Sequence, residues 1–150
     1  MKTWVQKQKG FTIVELLVVI VVIAILASIS VVSYNGIQQR ARDSARDSAV
    51  RSLRLALEVY KSDTNAYPIV APAGNGSNVN ALTSALTPTY ISKIPNDPDT
   101  TKNINYVTNS AGDGYGMYVL YESRPKCKYL VGDNINSGWY GSLTQVPMCP

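Results

Sequence analysis

The sequence lacks histidine altogether, and it contains only two cysteines among its 150 residues. Without histidine, this chain cannot build a Ser-His-Asp or Cys-His arrangement, nor a metal site with histidine ligands. Cys127 and Cys149 are too few for a zinc site and too far apart for a C-x-x-C redox pair, so a single disulfide is their simplest use. The composition therefore predicts no catalytic residue, no cofactor and no enzymatic activity.

Charge is nearly absent from a long segment that follows the first ten residues. Those ten residues carry three lysines and no acid, whereas residues 11–32 contain a single charged residue, Glu15. A helix of this length, at about 1.5 Å per residue, spans roughly 33 Å and crosses the hydrocarbon core of a bilayer. A cleaved secretory signal has a shorter apolar core, and the core helix of a soluble protein is seldom apolar on every face. We therefore predict a transmembrane helix over residues 11–33.

Glu15 is the ionisable group inside this apolar segment, and it needs a partner. An acid at the centre of a membrane helix costs roughly 2.5 to 3.5 kcal/mol on insertion scales, and less near the helix end. Cleavage between Gly10 and Phe11 would create an ammonium group at the same membrane depth as Glu15 of a neighbouring copy. Two such charges about 4 Å apart attract by about 4 kcal/mol at an effective dielectric constant of about 20, before desolvation. This contact would set the register between parallel subunits.

The segment KGFTIVELLVVIVVIAIL resembles the N-terminus of prepilins, the precursors of type IV pilins and type II secretion pseudopilins. The resemblance implies that residues 1–10 are a leader peptide, removed after Gly10 by a membrane-embedded aspartyl prepilin peptidase. It also implies N-methylation of Phe11 and a role for Glu15 in subunit register during assembly. A homo-oligomeric helical filament, a cytoplasmic assembly ATPase and membrane platform proteins follow from the same resemblance.

The orientation in the membrane follows from the lysines and the cysteines. Lys7 and Lys9 lie closest to the apolar segment, and paired cysteines favour an oxidising, exported compartment. We therefore predict a single-pass membrane precursor with its leader in the cytoplasm and its C-terminal domain exported, followed by assembly into an extracellular fibre.

The residues after the membrane segment predict that the helix continues over residues 34–63. An apolar stripe recurs there at three- and four-residue intervals, comprising Ile37, Ala41, Ala45, Ala49, Leu53, Leu57 and Tyr60. Favourable pairs are predicted between Asp43 and Arg46 and between Asp47 and Arg51. Five arginines could form a surface for nucleic acid or anionic lipid, but the interleaved aspartates favour a solvated or intersubunit face, and nothing further supports nucleic-acid binding. The arginines are Arg40, Arg42, Arg46, Arg51 and Arg54.

Residues 64–150 predict a small α+β domain, giving a pilin-like fold in which the long helix packs on a small antiparallel sheet. A Gly-, Asn- and Ser-rich loop contains an N-x-S sequon at Asn75, and a short helix over residues 82–86 is capped near Asn80. Alternating patterns separated by turn signals predict strands that pair consecutively, over residues 104–108, 115–121, 126–131 and 139–143. The strand tyrosines could form a carbohydrate or adhesin platform, but we favour an arrangement in which half of them pack on the long helix and half lie on a solvated face. They are Tyr106, Tyr115, Tyr118, Tyr121, Tyr129 and Tyr140.

The C-terminal features of the domain are split between two branches of the family. A Cys127–Cys149 disulfide would tie down a C-terminal loop, as in many type IV pilins. Major pseudopilins usually end instead with an acidic calcium-binding loop, and that ending is missing here. Asp97, Asp99 and Asp113 are calcium candidates, but isolated loop aspartates usually form turns, so we predict no metal site.

These observations favour a structural subunit of a type IV pilus, a surface fibre for adhesion, motility or DNA uptake. A pseudopilin of a type II secretion system is the nearest alternative, because it shares the N-terminal chemistry. A membrane-anchored, exported binding domain that never polymerises is a further alternative.

Overall fold

The computed structural model describes residues 10–70, 76–132, 135, 139 and 146–149, without the side chains of residues 31–33. One helix of 52 residues, α1, covers Ile13–Thr64. The chain separates into two compact units, Met1–Gln38 and Gln39–Pro150, which we call the N-terminal and C-terminal units. A long N-terminal helix with a small antiparallel sheet confirms the predicted α+β, pilin-like fold class. The finer division at residues 10, 33 and 63 stays a prediction.

One face of α1 is buried within the C-terminal unit. Its apolar side chains recur every three or four residues, as a helix packed on one side requires, and they are Ala49, Val50, Leu53, Ala56 and Leu57. The predicted stripe is right from Ala49 onward. It is wrong before that point, because Ala41 and Ala45 are exposed and the buried positions belong to Asp43 and Arg46.

Helix α1 ends at Thr64, and the next residue, Asn65, adopts a left-handed backbone conformation. Asn65 has a φ of 63° and donates its N–H to the Lys61 carbonyl oxygen at 2.8 Å. Asparagine tolerates this left-handed region better than most residues with a side chain, and it is a common terminator for that reason.

The sheet contains four antiparallel strands in sequence order, β1 Ser77–Asn78, β2 Asn105–Thr108, β3 Gly114–Val119 and β4 Cys127–Gly132. Three predicted strands and their consecutive pairing are therefore confirmed. The predicted strand at residues 139–143 falls mostly outside the described residues, and Trp139 itself lies in a turn. The fourth strand of the sheet is β1, which lies at one edge and falls in a segment that the sequence predicts as a loop.

A short helical segment follows β1, as predicted, but its cap is different. A 3₁₀ turn covers Val79–Leu82 and a short helix, α2, covers Thr83–Leu86. The Asn78 side chain accepts the N–H of Asn80 at 2.9 Å and caps the 3₁₀ turn. The prediction of a cap near Asn80 for the short helix is wrong, because Leu82 precedes α2 and makes no side-chain cap hydrogen bond.

The tyrosines of the sheet mostly fill the core. Tyr106 and Tyr115 are fully buried with ring centroids 5.9 Å apart, and Tyr67 meets Tyr115 edge-on at 4.7 Å. Tyr118 and Tyr121 are also buried, Tyr129 is half-buried against the same core, and Tyr140 lies outside the described residues. Packing is therefore confirmed, but the predicted division into a packed half and a solvated half is wrong, because none of the five described strand tyrosines is exposed.

A second, smaller cluster comprises Val107, Tyr118, Trp139 and Val146. A Cβ atom at Gly76 would lie 2.5 Å from the Trp139 indole, so close approach of the ring explains that glycine. A Cβ atom at Gly116 would instead lie 2.9 Å from the Val107 side chain and 3.0 Å from that of Leu130. The buried Lys128 ammonium donates a hydrogen bond to the Trp139 carbonyl oxygen at 3.0 Å, and burial lowers the pKa of Lys128.

The C-terminus is fastened to β4 by a disulfide and by main-chain hydrogen bonds. Cys127 and Cys149 are joined, with their Cα atoms 5.0 Å apart. Lys128 donates its N–H to the Pro147 carbonyl oxygen, and its own carbonyl oxygen accepts the N–H of Cys149, each at 3.0 Å. These contacts join the C-terminal segment to the sheet.

A buried arginine joins three distant segments of the C-terminal unit. Arg46 is fully buried and donates to both carboxylate oxygens of Asp97, at 2.8 and 2.7 Å. It also donates to Asp43 at 2.7 Å, as predicted from their spacing, and to Glu122 at 2.8 Å. Arg42 binds Glu122 from the other side. We call Arg42, Asp43, Arg46, Asp97 and Glu122 the Arg46 network.

We expect the Arg46 network to make folding stability fall in acid. Hydrogen bonds from Arg42 and then Arg46 lower the pKa of Glu122 to about 2. The pKa of Asp43 is also lowered, because hydrogen bonds from Ser123 and the Glu122 N–H outweigh a burial effect that alone would raise it. A carboxylate with a lowered folded-state pKa stabilises the fold above its unfolded pKa, near 4.3, and loses that contribution as the pH falls toward 2.

The measurement is the thermal unfolding midpoint of the mature chain in detergent at pH 7 and pH 3, followed by Trp139 fluorescence. The midpoint should be lower at pH 3, and a Glu122→Gln variant should show a smaller difference. Equal midpoints at both pH values for the wild-type chain would contradict the expected linkage.

Candidate assembly site

The N-terminal unit presents an apolar helix whose side chains are not covered by any described part of the chain. From Phe11 to Ser30 every side chain is exposed, and the most apolar 18-residue window has a mean hydropathy of 3.1. By length and composition this part of α1 can cross a membrane. Such a surface is stable only in lipid or against other apolar helices.

The start of α1 is closed by Thr12 and Glu15. The Thr12 N–H and hydroxyl donate to Glu15 Oε2 at 2.9 and 2.7 Å, and the Glu15 N–H donates to the Thr12 hydroxyl oxygen at 3.2 Å. This reciprocal arrangement is a capping box, which satisfies N–H groups that a helix start leaves without partners. The T-x-x-E spacing in the sequence is the signal from which this capping box could have been predicted.

The capping box uses one oxygen of the Glu15 carboxylate. Glu15 Oε2 accepts both hydrogen bonds, while Oε1 has no hydrogen-bond partner in the described part of the chain. Glu15 can therefore close its own helix and still accept a hydrogen bond from another molecule.

The other polar groups of the apolar segment are satisfied locally. The Ser28 hydroxyl donates to the Ala24 carbonyl oxygen at 2.8 Å, and the Ser30 hydroxyl donates to Leu26 at 2.9 Å. Local bonds of this kind let a hydroxyl enter an apolar surrounding without an external partner. Glu15 thus stands apart as the polar side chain with unused bonding capacity.

The candidate cleavage site lies just before the helix. Gly10 and Phe11 are exposed and precede the first helical residue, and Phe11 is 91% exposed. The rest of the leader lies outside the described residues. Cleavage after Gly10 and methylation of Phe11 stay predictions. The exposed, non-helical backbone at these two residues would permit both.

The five arginines do not form one anionic-ligand surface. Arg42 and Arg46 belong to the Arg46 network, whereas Arg40, Arg51 and Arg54 are exposed. The predicted Asp47–Arg51 pair is wrong, because Asp47 pairs instead with Arg124, which lies 77 positions away.

The calcium candidates Asp97, Asp99 and Asp113 are used in other contacts. Asp97 binds Arg46, Asp99 accepts from Thr101 and pairs with Lys102 at 3.4 Å, and Asp113 binds the Asn109 side chain. The described residues include no group of three or more acidic or cysteine side chains able to hold a metal ion. The sequon at Asn75 falls outside the described residues, so glycosylation there stays untested.

The N-terminal segment matches a family model. Residues 5–31 match the prokaryotic N-terminal methylation motif, a stretch that contains Gly10, Phe11, Thr12 and Glu15. The match coincides with the exposed apolar helix and its capping box.

Curated relatives extend the similarity beyond the motif. The type II secretion system core protein G of Escherichia coli (strain K12) is 34% identical over 139 residues, which cover 87% of this chain and 91% of the relative. The protein of the same name from Aeromonas hydrophila is 37% identical over 99 residues, 62% of this chain and 68% of the relative. No solved structure gave a significant match. Motif and relatives together establish a membrane-anchored chain with an exported C-terminal domain.

Proposed function

Because the chain belongs to the family of the type II secretion system core protein G, within the type IV pilins and pseudopilins, we propose that it is a pseudopilin that polymerises into a secretion pseudopilus. The observation that carries this proposal is the 34% identity over 91% of the Escherichia coli protein. The relatives favour a type II secretion pseudopilin, the alternative, over a type IV pilus subunit, which the sequence alone favours. Membership of a structural-subunit family also agrees with a chain that is not an enzyme.

Assembly would proceed from the membrane precursor. A prepilin peptidase cuts after Gly10, Phe11 becomes the methylated N-terminus, and Glu15 Oε1 accepts the ammonium group of a neighbouring subunit. The exposed apolar side chains of residues 11–30 then pack against other copies. Moving such a helix from lipid into a helix bundle changes little apolar exposure, so an ATPase and a membrane platform must drive assembly.

A type IV pilus subunit remains a second candidate because of one structural observation. The Cys127–Cys149 disulfide ties the C-terminus to β4. In this feature the chain resembles type IV pilins rather than major pseudopilins. A non-polymerising binding domain has no comparable observation in its favour, because it leaves Glu15 Oε1 unused.

Deleting the chain from its native host tests the proposal. We expect secretion of folded exported proteins into the medium to fall at least tenfold, with surface fibres unchanged by electron microscopy, and recovery when the wild-type chain is restored. Loss of surface fibres with normal secretion would support the pilus candidate instead.

The N-terminal mass of the protein in the membrane fraction serves as the accompanying control. A mass that begins at methylated Phe11 is expected. Protein that keeps residues 1–10 and never forms oligomers would contradict both filament functions.

A further inference from the structure

The charged residues of α1 in the C-terminal unit fall into two groups. Arg42, Asp43, Arg46 and Asp47 all form ion pairs with residues elsewhere in the unit or on the helix itself. Arg51, Arg54 and Glu58 follow immediately, and they form no ion pair within the described part of the chain. Among the described residues, two positive charges and one negative charge on this part of α1 therefore have no ion-pair partner.

The contacts that two of these side chains do make leave their charges unbalanced. Arg54 lies over the Tyr129 ring, 5.2 Å from its centroid, and Glu58 accepts the Tyr67 hydroxyl at 3.1 Å. An aromatic ring and a phenol orient these groups without neutralising them. Arg51 is exposed and lines the adjoining surface.

Exposed apolar side chains share this face of the helix. Leu55 is 64% exposed and Val59 is 53% exposed. Spacings of three, four, seven and eight residues from Arg51 place them on one face with the three charges, opposite the buried face. We call this face the charged stripe, which comprises Arg51, Arg54, Leu55, Glu58 and Val59. Two open cavities, of about 210 and 240 Å³, share Arg51 and Arg54 in their linings.

The charged stripe is complementary to a displaced copy of itself. Glu58 lies four residues beyond Arg54 and seven beyond Arg51, which is about 6 and 10 Å along a helix. A parallel copy displaced by between about 6 and 10 Å would bring its Glu58 to a level between Arg54 and Arg51 of the first copy, within reach of both arginines. The exposed side chains of Leu55 and Val59 would lie nearby. Apolar residues flanked by charges are typical of protein interfaces.

We propose that the charged stripe is a contact surface between copies of this chain, in which Glu58 of one copy pairs with Arg51 and Arg54 of the next. The pairing rests on the proposed filament function and adds a second, exported register contact to that of Glu15.

Charge reversal in the full-length chain tests the pairing. Arg51→Glu and Glu58→Arg, made separately, should each lower the amount of filament recovered at least tenfold, because each places like charges together. Reversing the whole set, with Arg51→Glu, Arg54→Glu and Glu58→Arg combined, should restore filaments to within about threefold of wild type, because the same pairs form with inverted signs.

Lys126→Glu is the matched control, since Lys126 is an exposed cation outside α1, and it should leave assembly unchanged. Trp139 fluorescence and the N-terminal mass check folding and cleavage in every variant. Normal filaments from either single reversal, or no recovery in the combined variant, would overturn the proposed pairing. A wild-type chain that is cut but never polymerises would instead refute the filament function itself.

Discussion

Arg46→Met should lower the free energy of unfolding of the C-terminal unit by about 3 to 5 kcal/mol, the usual effect of removing one member of a buried ion pair. Asp97 is the residue most affected, because both of its oxygens bind Arg46 and its side chain is fully buried. Domains are commonly stable by only about 5 to 15 kcal/mol, so this loss is close to unfolding. Denaturant unfolding of the mature chain in detergent, followed by Trp139 fluorescence, measures it.

Arg42→Met provides the matched control for Arg46→Met. Arg42 lies one turn away on the same helix, but its side chain is one-third exposed and it pairs with Glu122, which Lys102 also approaches at 3.4 Å. We expect a loss of about 1 kcal/mol or less, as for exposed pairs.

A second variant separates an orphaned charge from lost packing. Combining Arg46→Met with Asp97→Asn removes the uncompensated carboxylate, so it should recover part of the stability that Arg46→Met loses. Equal losses in the Arg42 and Arg46 variants would contradict the central role assigned to the buried guanidinium.

The fold was predictable where a local pattern determines it. Helical periodicity predicted α1, and alternating side chains bounded by turn residues predicted β2, β3 and β4. The edge strand β1 has only two residues, Ser77 and Asn78, and it forms because Tyr106 and Asn105 offer main-chain partners. Two residues carry no periodicity, so no local signal could reveal it.

The buried charges were missed for a related reason. Asp43 and Arg46 interrupt the apolar stripe, and sequence spacing predicted their mutual pair but not their burial. Burial depends on Asp97 and Glu122, which are 51 and 76 positions from Arg46. Only the fold brings these carboxylates together. The charged stripe, too, can be recognised only once the structure shows which charges are paired.

The candidate assembly site, by contrast, is local. Gly10, Phe11 and Glu15 lie within six consecutive positions, so the resemblance of this short segment to prepilins was enough to predict the site. The interpretation was incomplete because it gave Glu15 only an intermolecular role. The structure assigns the same carboxylate to the helix cap, and the two roles call for separate tests.

Glu15→Gln should abolish filament assembly while leaving the helix cap in place. A glutamine side chain can still accept hydrogen bonds from Thr12, because capping boxes are formed by either residue type. It carries no charge, so it loses the attraction toward a neighbouring ammonium group, which is about 4 kcal/mol before desolvation. The measurements are cleavage after Gly10, which should be normal, and recovery of filament, which should fall below detection.

Thr12→Ala should give the opposite result. It removes both Thr12 hydroxyl contacts with Glu15 and should cost the helix start about 1 kcal/mol, yet the carboxylate remains for the neighbouring subunit. Filament recovery should therefore stay within about threefold of wild type, while amide exchange near residues 13–16 of the detergent-solubilised chain becomes faster. If Thr12→Ala abolished filaments and Glu15→Gln did not, the helix cap rather than the charge of Glu15 would control assembly.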